Sequence, residues 1–252
     1  MIHSILIIGQ SNMAGRGYAN DVPLDNAGGR IKMLRCGRWQ PIFRPVNPDR
    51  RTAGVCLAES FASDYALDHP EVEVGIIPCA DGGTSLEQWQ EGGLLFDNAV
   101  LTAKLAMRTS HLVAILWHQG ECDCGDDRYP TYFERLAKTM RAMRRELGAE
   151  DIPLIVGGLG DFLPNCSIDP ALKNYQFVND SLIRFAKTET RTAFASAEGL
   201  GANPDNLHFS AASLIEFGHR YYTAFRAIED RSRIFDEKSK MDDAIRTNIE
   251  QL

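Results

Sequence analysis

Short unbroken apolar runs alternate along this chain with longer stretches in which apolar residues recur every three or four positions. Near the start, Ile5-Leu6-Ile7-Ile8 is purely aliphatic and stops at Gly9, after which comes the small polar segment Gln10-Ser11-Asn12. A continuous run closed by glycine predicts a strand covered on both faces. The same signature recurs from Ile31 to Leu34 with Trp39-Gln40-Pro41 as its continuation, from Val72 to Ile77 ahead of Pro78, from Leu112 to Trp117, from Pro153 to Val156, and more briefly from Thr192 to Ser196. Between these runs the period becomes helical. From Gly54 to Leu67, the residues Val55, Leu57, Ala58, Phe61, Ala62, Tyr65 and Ala66 share one face, and His69-Pro70 marks the stop. Further helices are predicted from Leu94 to Met107, from Tyr132 to Leu147, from Ala171 to Phe185 and from Ala211 to Ile228.

Strands alternating with helices of this length predict the α/β class: a three-layer α/β/α sandwich around a parallel sheet with right-handed crossovers. No break in composition precedes Ile228, so residues 1–228 are expected to form one domain. The segment 229–252 is dense in charge and carries only the thin apolar stripe Met241, Ile245 and Leu252. Such a stripe cannot hold an isolated helix in water, so the tail is expected to dock on its own domain or on another subunit and to support a homo-oligomer.

Composition narrows the partners. With 252 residues, 44% hydrophobic and 24% charged, the chain can bury a substantial core without disulfide staples. No apolar run approaches the roughly 18 residues of a membrane span, so no membrane partner is expected. A net charge of -7 argues against nucleic acid, which calls for a basic face. Arg141, Arg144 and Arg145 share their helix with Glu134 and Glu146 and read as a solvated face. Cys36, Cys56, Cys79, Cys122, Cys124 and Cys166 have no metal-clip spacing. They are read as reduced thiols of a cytoplasmic chain, an expectation supported by the strand-like start without a leader pattern, although a mature secreted form would look the same.

Polar side chains stand where successive strands end. Ser11 follows the first, Gly82-Gly83 the run from Val72 to Ile77, Gln119 and Glu121 the run from Leu112 to Trp117, and Asp205 with His208 come after the last. If the strand order is flavodoxin-like, these loops gather on one sheet edge and Ser11 lies beside Gly83. Ser11 alone reads equally as a cap of the next segment. In company it reads as a nucleophile, with His208 as its base and Asp205, three residues earlier on the same turn, orienting the imidazole. The Ser11 amide, the Gly83 amide and the Gln119 side chain would stabilise an oxyanion, with Gly82 the other candidate for the glycine amide. Several neighbours admit two readings. Glu121 is either a second acid or a buried carboxylate holding the loops, and Arg16 either touches substrate or pairs with an acidic loop at the surface. His118 would orient Gln119, Asn12 would support the site, and Trp89 either lines the pocket or packs. Neither a dinucleotide nor a phosphate-loop fingerprint surrounds Gly9, and no metal or cofactor is called for.

The blocks Gly9-Gln10-Ser11-Asn12-Met13, Gly82-Gly83-Thr84-Ser85 with Trp89 after it, His118-Gln119-Gly120-Glu121 and Asp205-Asn206-Leu207-His208 resemble the ordered blocks of the SGNH hydrolases. More narrowly they resemble the sialate O-acetylesterase and acetylxylan esterase group, carbohydrate esterase family 6, over about Ile2 to Phe225. The resemblance implies the SGNH fold, Ser11 as nucleophile, Asp205 and His208 completing a triad, and Gly83 and Gln119 as oxyanion donors. It also implies removal of acetyl or another small acyl group, through an acyl-enzyme, from an acetylated carbohydrate or simple ester. Gln119 stands where the wider superfamily has asparagine, a departure the narrower group shares. A lipase-like or thioester-cleaving member of the superfamily is an alternative, weakened by the lack of a long apolar lid segment. A carbohydrate-binding protein that has lost catalysis on the same fold is another, and the intact Ser11, Asp205 and His208 weigh against it.

Overall fold

The computed structural model describes residues 1–250, with the side chains of 233, 235 and 242–250 left aside. Its seven strands are β1 (Ile2–Gly9), β2 (Ile31–Arg35), β3 (Arg38–Pro41), β4 (Glu73–Pro78), β5 (Ser110–His118), β6 (Leu154–Gly157) and β7 (Thr192–Ala195). They form one sheet in the order β3-β2-β4-β1-β5-β6-β7. Every neighbouring pair is parallel except β2 and β3. Five of them, β4-β1-β5-β6-β7, keep the flavodoxin-like order, and β2 with β3 extends the sheet beyond β4.

Six α-helices cover the sheet: α1 (Ser11–Ala14), α2 (Ala58–Asp68), α3 (Leu94–Ala106), α4 (Tyr132–Leu147), α5 (Tyr175–Thr188) and α6 (Ala211–Glu250). On one face α2 packs against α6, and on the other α3, α4 and α5 lie side by side. The central strand explains the layering: Ile5, Leu6, Ile7 and Ile8 are all completely buried, so both faces of β1 must be covered.

Three predicted elements differ from the structure. Trp39-Gln40-Pro41 does not continue the preceding run but returns antiparallel beside it, because Cys36 and Gly37 both take positive φ and close a two-residue hairpin turn. The helix expected from Gly54 starts at Ala58, since Gly54 donates to the Gly15 carbonyl and Val55 exchanges hydrogen bonds with Gly17. The helix expected from Ala171 begins as a 3-10 turn, Pro170–Asn174, and becomes α-helical only at Tyr175. At the far end α6 runs on without a break through Glu250. Residues 236–241 are exposed, Met241 among them, while the Ile245 side chain and Leu252 lie outside the described part.

Candidate active site

Strand β1 sits between β4 and β5, so the loops after these three strands open onto one crevice at the sheet edge. Gly9 makes the exit turn possible. Its φ is +132°, and a Cβ there would fall 2.0 Å from the His118 carbonyl oxygen. The chain turns at once into α1, with Ser11 as its first residue. The amide of Ser11 has no acceptor among the described residues.

Ser11, His208 and Asp205 form one hydrogen-bonded row. The Ser11 hydroxyl lies 3.0 Å from His208 Nε2, and His208 Nδ1 lies 2.7 Å from Asp205 Oδ2. A carboxylate can only accept, so Nδ1 carries the proton and Nε2 is left to accept from the serine. The three-residue spacing works because Asp205 folds back on its own turn: Oδ1 accepts the amides of Leu207 and His208, both at 3.0 Å, and leaves Oδ2 for the imidazole. Burial acts to raise the Asp205 carboxyl, but these amides and the imidazole outweigh it and hold it below its ordinary value.

Asn12 ties this turn to the serine. Its Oδ1 accepts the Phe209 amide at 3.1 Å, and its Nδ2 donates to the Leu207 carbonyl and, at 2.5 Å, to Glu121 Oε1. Glu121 is buried and also meets His118 Nε2 at 3.3 Å. Burial alone would raise its carboxyl, yet His118 and Asn12 together hold it below its ordinary value. His118 therefore serves Glu121 rather than Gln119, packed edge-on against Phe209 and Phe217. Gln10 braces the same loop by accepting the amides of Gly120 and Cys122.

The glycine loop treats its two glycine amides differently. Asn47 exchanges two hydrogen bonds with Ala80, and the Gly82 amide is bound at 2.8 Å by Asp49 Oδ2. Gly83, at φ +77°, keeps an amide without an acceptor among the described residues, and nothing crowds its Cβ position. The turn abuts the serine, because a Cβ on Gly82 would lie 3.4 Å from that of Ser11. Of the two glycines, then, only Gly83 has an amide to offer. Trp89 is buried and donates to the Thr84 hydroxyl, so it packs under this loop instead of lining an opening.

Two further expectations are corrected. Gln119 is completely buried, and its Nε2 donates to the Thr84 carbonyl and to Asp123 Oδ2 while the Tyr132 hydroxyl contacts its Oε1. Both amide hydrogens are taken, so the side chain offers no free donor to an oxyanion and braces the loops instead. Arg16 does not lie at the surface, although it contributes to the wall of the cavity beside His208. It is buried in a two-pronged ion pair with Asp49, at 3.0 and 2.7 Å. Removing one partner from such a buried pair typically costs about 3–5 kcal/mol.

Asp49, Asn47 and Asp123 escaped the sequence reading. Asn47-Pro48-Asp49 has no periodicity, and Asp123 stood only as the residue between two cysteines. The thiols themselves are unreactive: burial, with Glu121 and Asp123 nearby, pushes Cys122 up to about 11, and the buried Cys124 is raised further. Beside the row lies a cavity of about 420 Å³ lined by Tyr18, Arg51, Thr52, Asn203, Asp205 and His208 among others. The Tyr18 ring is exposed, and Arg51 has no ion pair among the described residues.

The sequence model of the family described as carbohydrate esterase, sialic acid-specific acetylesterase, matches residues 2–227. A probable carbohydrate esterase of Arabidopsis thaliana is 26% identical over 243 residues, covering 84% of this chain and 86% of that protein. The solved structure of this Arabidopsis protein superimposes with a TM-score of 0.78 at 22% identity, over 89% of this chain and 98% of the other. A carbohydrate acetylesterase from Xanthomonas citri gives a TM-score of 0.64 at 20% identity, over 90% of this chain and 56% of the other. At these identities the structural likenesses speak for the fold.

Proposed function

We infer that this chain, which belongs to the sialic acid-specific acetylesterase family of carbohydrate esterases and is a carboxylic ester hydrolase, removes acetyl groups from a sugar through an acetyl-enzyme on Ser11. The observation that carries this reading is the row Ser11, His208, Asp205 with the free amides of Ser11 and Gly83 at its head. The Ser11 oxygen adds to the ester carbonyl while His208 Nε2 takes its proton. Negative charge gathers on the carbonyl oxygen, where the two backbone amides donate to it. On collapse the C–O bond to the sugar breaks, and the imidazolium returns its proton to the departing alkoxide. Water then repeats the sequence on the acetyl-serine, giving acetate and free enzyme. Asp205 orients the imidazole and balances its charge in both halves.

The leaving sugar must lie on the histidine side, since His208 protonates it. The cavity with Tyr18 and Arg51 is on that side and has room for a monosaccharide unit. An aromatic face supports the apolar side of a sugar ring, and a free guanidinium suits hydroxyl or carboxylate groups. Acetate release is expected from nitrophenyl acetate and from at least one of a panel of O-acetylated sialic acids and acetylated xylo-oligosaccharides, with rates falling as the acyl chain lengthens. Preference for long acyl esters or thioesters would assign the site to lipid-like substrates, and tight binding of acetylated sugars without turnover would leave a binding protein.

A further inference from the structure

The outward face of α3 carries an apolar stripe that no described residue covers. Leu94, Leu101 and Leu105 expose 84%, 67% and 44% of their surface. On the inner side of the same helix Phe96, Ala99, Val100, Ala103 and Ala106 are buried. A helix apolar all round is one buried all round. Single exposed leucines are ordinary, but these are ordered: Leu94, Asn98, Leu101 and Leu105 follow the i, i+4, i+7, i+11 spacing of the seam along which two helices interdigitate.

That spacing is the same in either direction. Turned end for end, the stripe falls on itself, Leu94 onto Leu105 and Asn98 onto Leu101. We propose that α3 is the self-association surface of this chain, packed antiparallel against α3 of a second copy about a two-fold axis. Charge favours this occupant. Asp97 and Lys104 lie on one flank of the stripe, and a two-fold perpendicular to the helix pair keeps that flank on the same side in both copies. Asp97 of one helix then stands opposite Thr102 of the other, two residues from Lys104, an axial offset of about 3 Å at the helical rise. Opposite charges meet twice. Lys104 reaches Glu146 of its own chain at 3.2 Å, so the second copy's Asp97 joins an existing surface pair. At the start of α3, Leu94 and Leu95 line a groove of about 390 Å³ with Pro48, Pro78 and Cys79, and the palindrome delivers the second copy's Leu105 to its mouth.

Sedimentation velocity of the full chain over a range of concentrations tests this. The chain sediments as a dimer, and Leu101→Glu, which places a carboxylate in the seam near the axis, shifts it to monomer with circular dichroism and esterase activity per chain unchanged. Asp97→Lys weakens the dimer, and adding Lys104→Asp restores it. A wild-type chain that stays monomeric overturns the proposal, as does a dimer that survives Leu101→Glu. A dimer lost instead on truncation after Ile228 would place the interface on the extension of α6 and also overturn it. Failure of the charge swap to restore association would overturn the antiparallel packing.

Discussion

Replacing Ser11 with alanine is expected to lower the turnover of nitrophenyl acetate by about a million-fold, the scale on which loss of a triad nucleophile falls. Among the described residues the hydroxyl contacts His208 Nε2 alone, so its removal takes away the proposed nucleophile and leaves Asp205, Asn12 and both glycines in place. The fold should be untouched, because one hydroxyl in a polar crevice is outside the short list of strongly destabilising changes. Thermal unfolding followed by circular dichroism should superimpose on wild type. Turnover near the wild-type value in a pure, folded sample would remove Ser11 from the chemistry.

The second large effect is expected from Asp205→Asn, a loss of about ten-thousand-fold in kcat. Asparagine can still accept the Leu207 and His208 amides through its oxygen, so the turn survives. The amide nitrogen then faces His208 Nδ1 and can only donate. The imidazole is driven to carry its proton on Nε2, toward Ser11, where it cannot take another. In the wild type, the hydrogen bonds that hold the Asp205 carboxyl below its ordinary value, against burial, keep it ionised throughout the neutral range. The stability it contributes is therefore present above its unfolded-state pKa and is lost only as pH falls through the lower folded value. A fall in activity just below neutrality is consequently not the titration of Asp205. A variant within tenfold of wild-type kcat would show that the carboxylate does not set the tautomer.

Most of the architecture was legible because it is written in period. The aliphatic run from Ile5 to Ile8 and the apolar run into Trp117 read as strands covered on both faces, and Ser11, Asp205 and His208 were visible as polar residues, with Gly83 as a small one, at strand ends. What escaped depended on pairing across the chain. Nothing local in Asn47-Pro48-Asp49 says that its carboxylate will capture the Gly82 amide and Arg16, which lie far off in sequence. Gln119 was legible as a polar residue in the right place, but its direction was not. That is settled by the Asp123 carboxylate and the Thr84 carbonyl, which take both of its hydrogens. The hairpin at Cys36-Gly37 was missed for a simpler reason, since glycine is the only strong turn former in it and the flanking runs looked continuous.

The acetyl-enzyme itself is the point on which the whole reading of the site turns. Wild-type enzyme mixed with excess nitrophenyl acetate, quenched in acid within the steady state and digested, should yield the peptide containing Ser11 with one added acetyl group. The Ser11→Ala sample should yield none. Full turnover with no modified Ser11 peptide at any quench time, or an acetyl group on another residue that carries the turnover, would contradict Ser11 as the nucleophile.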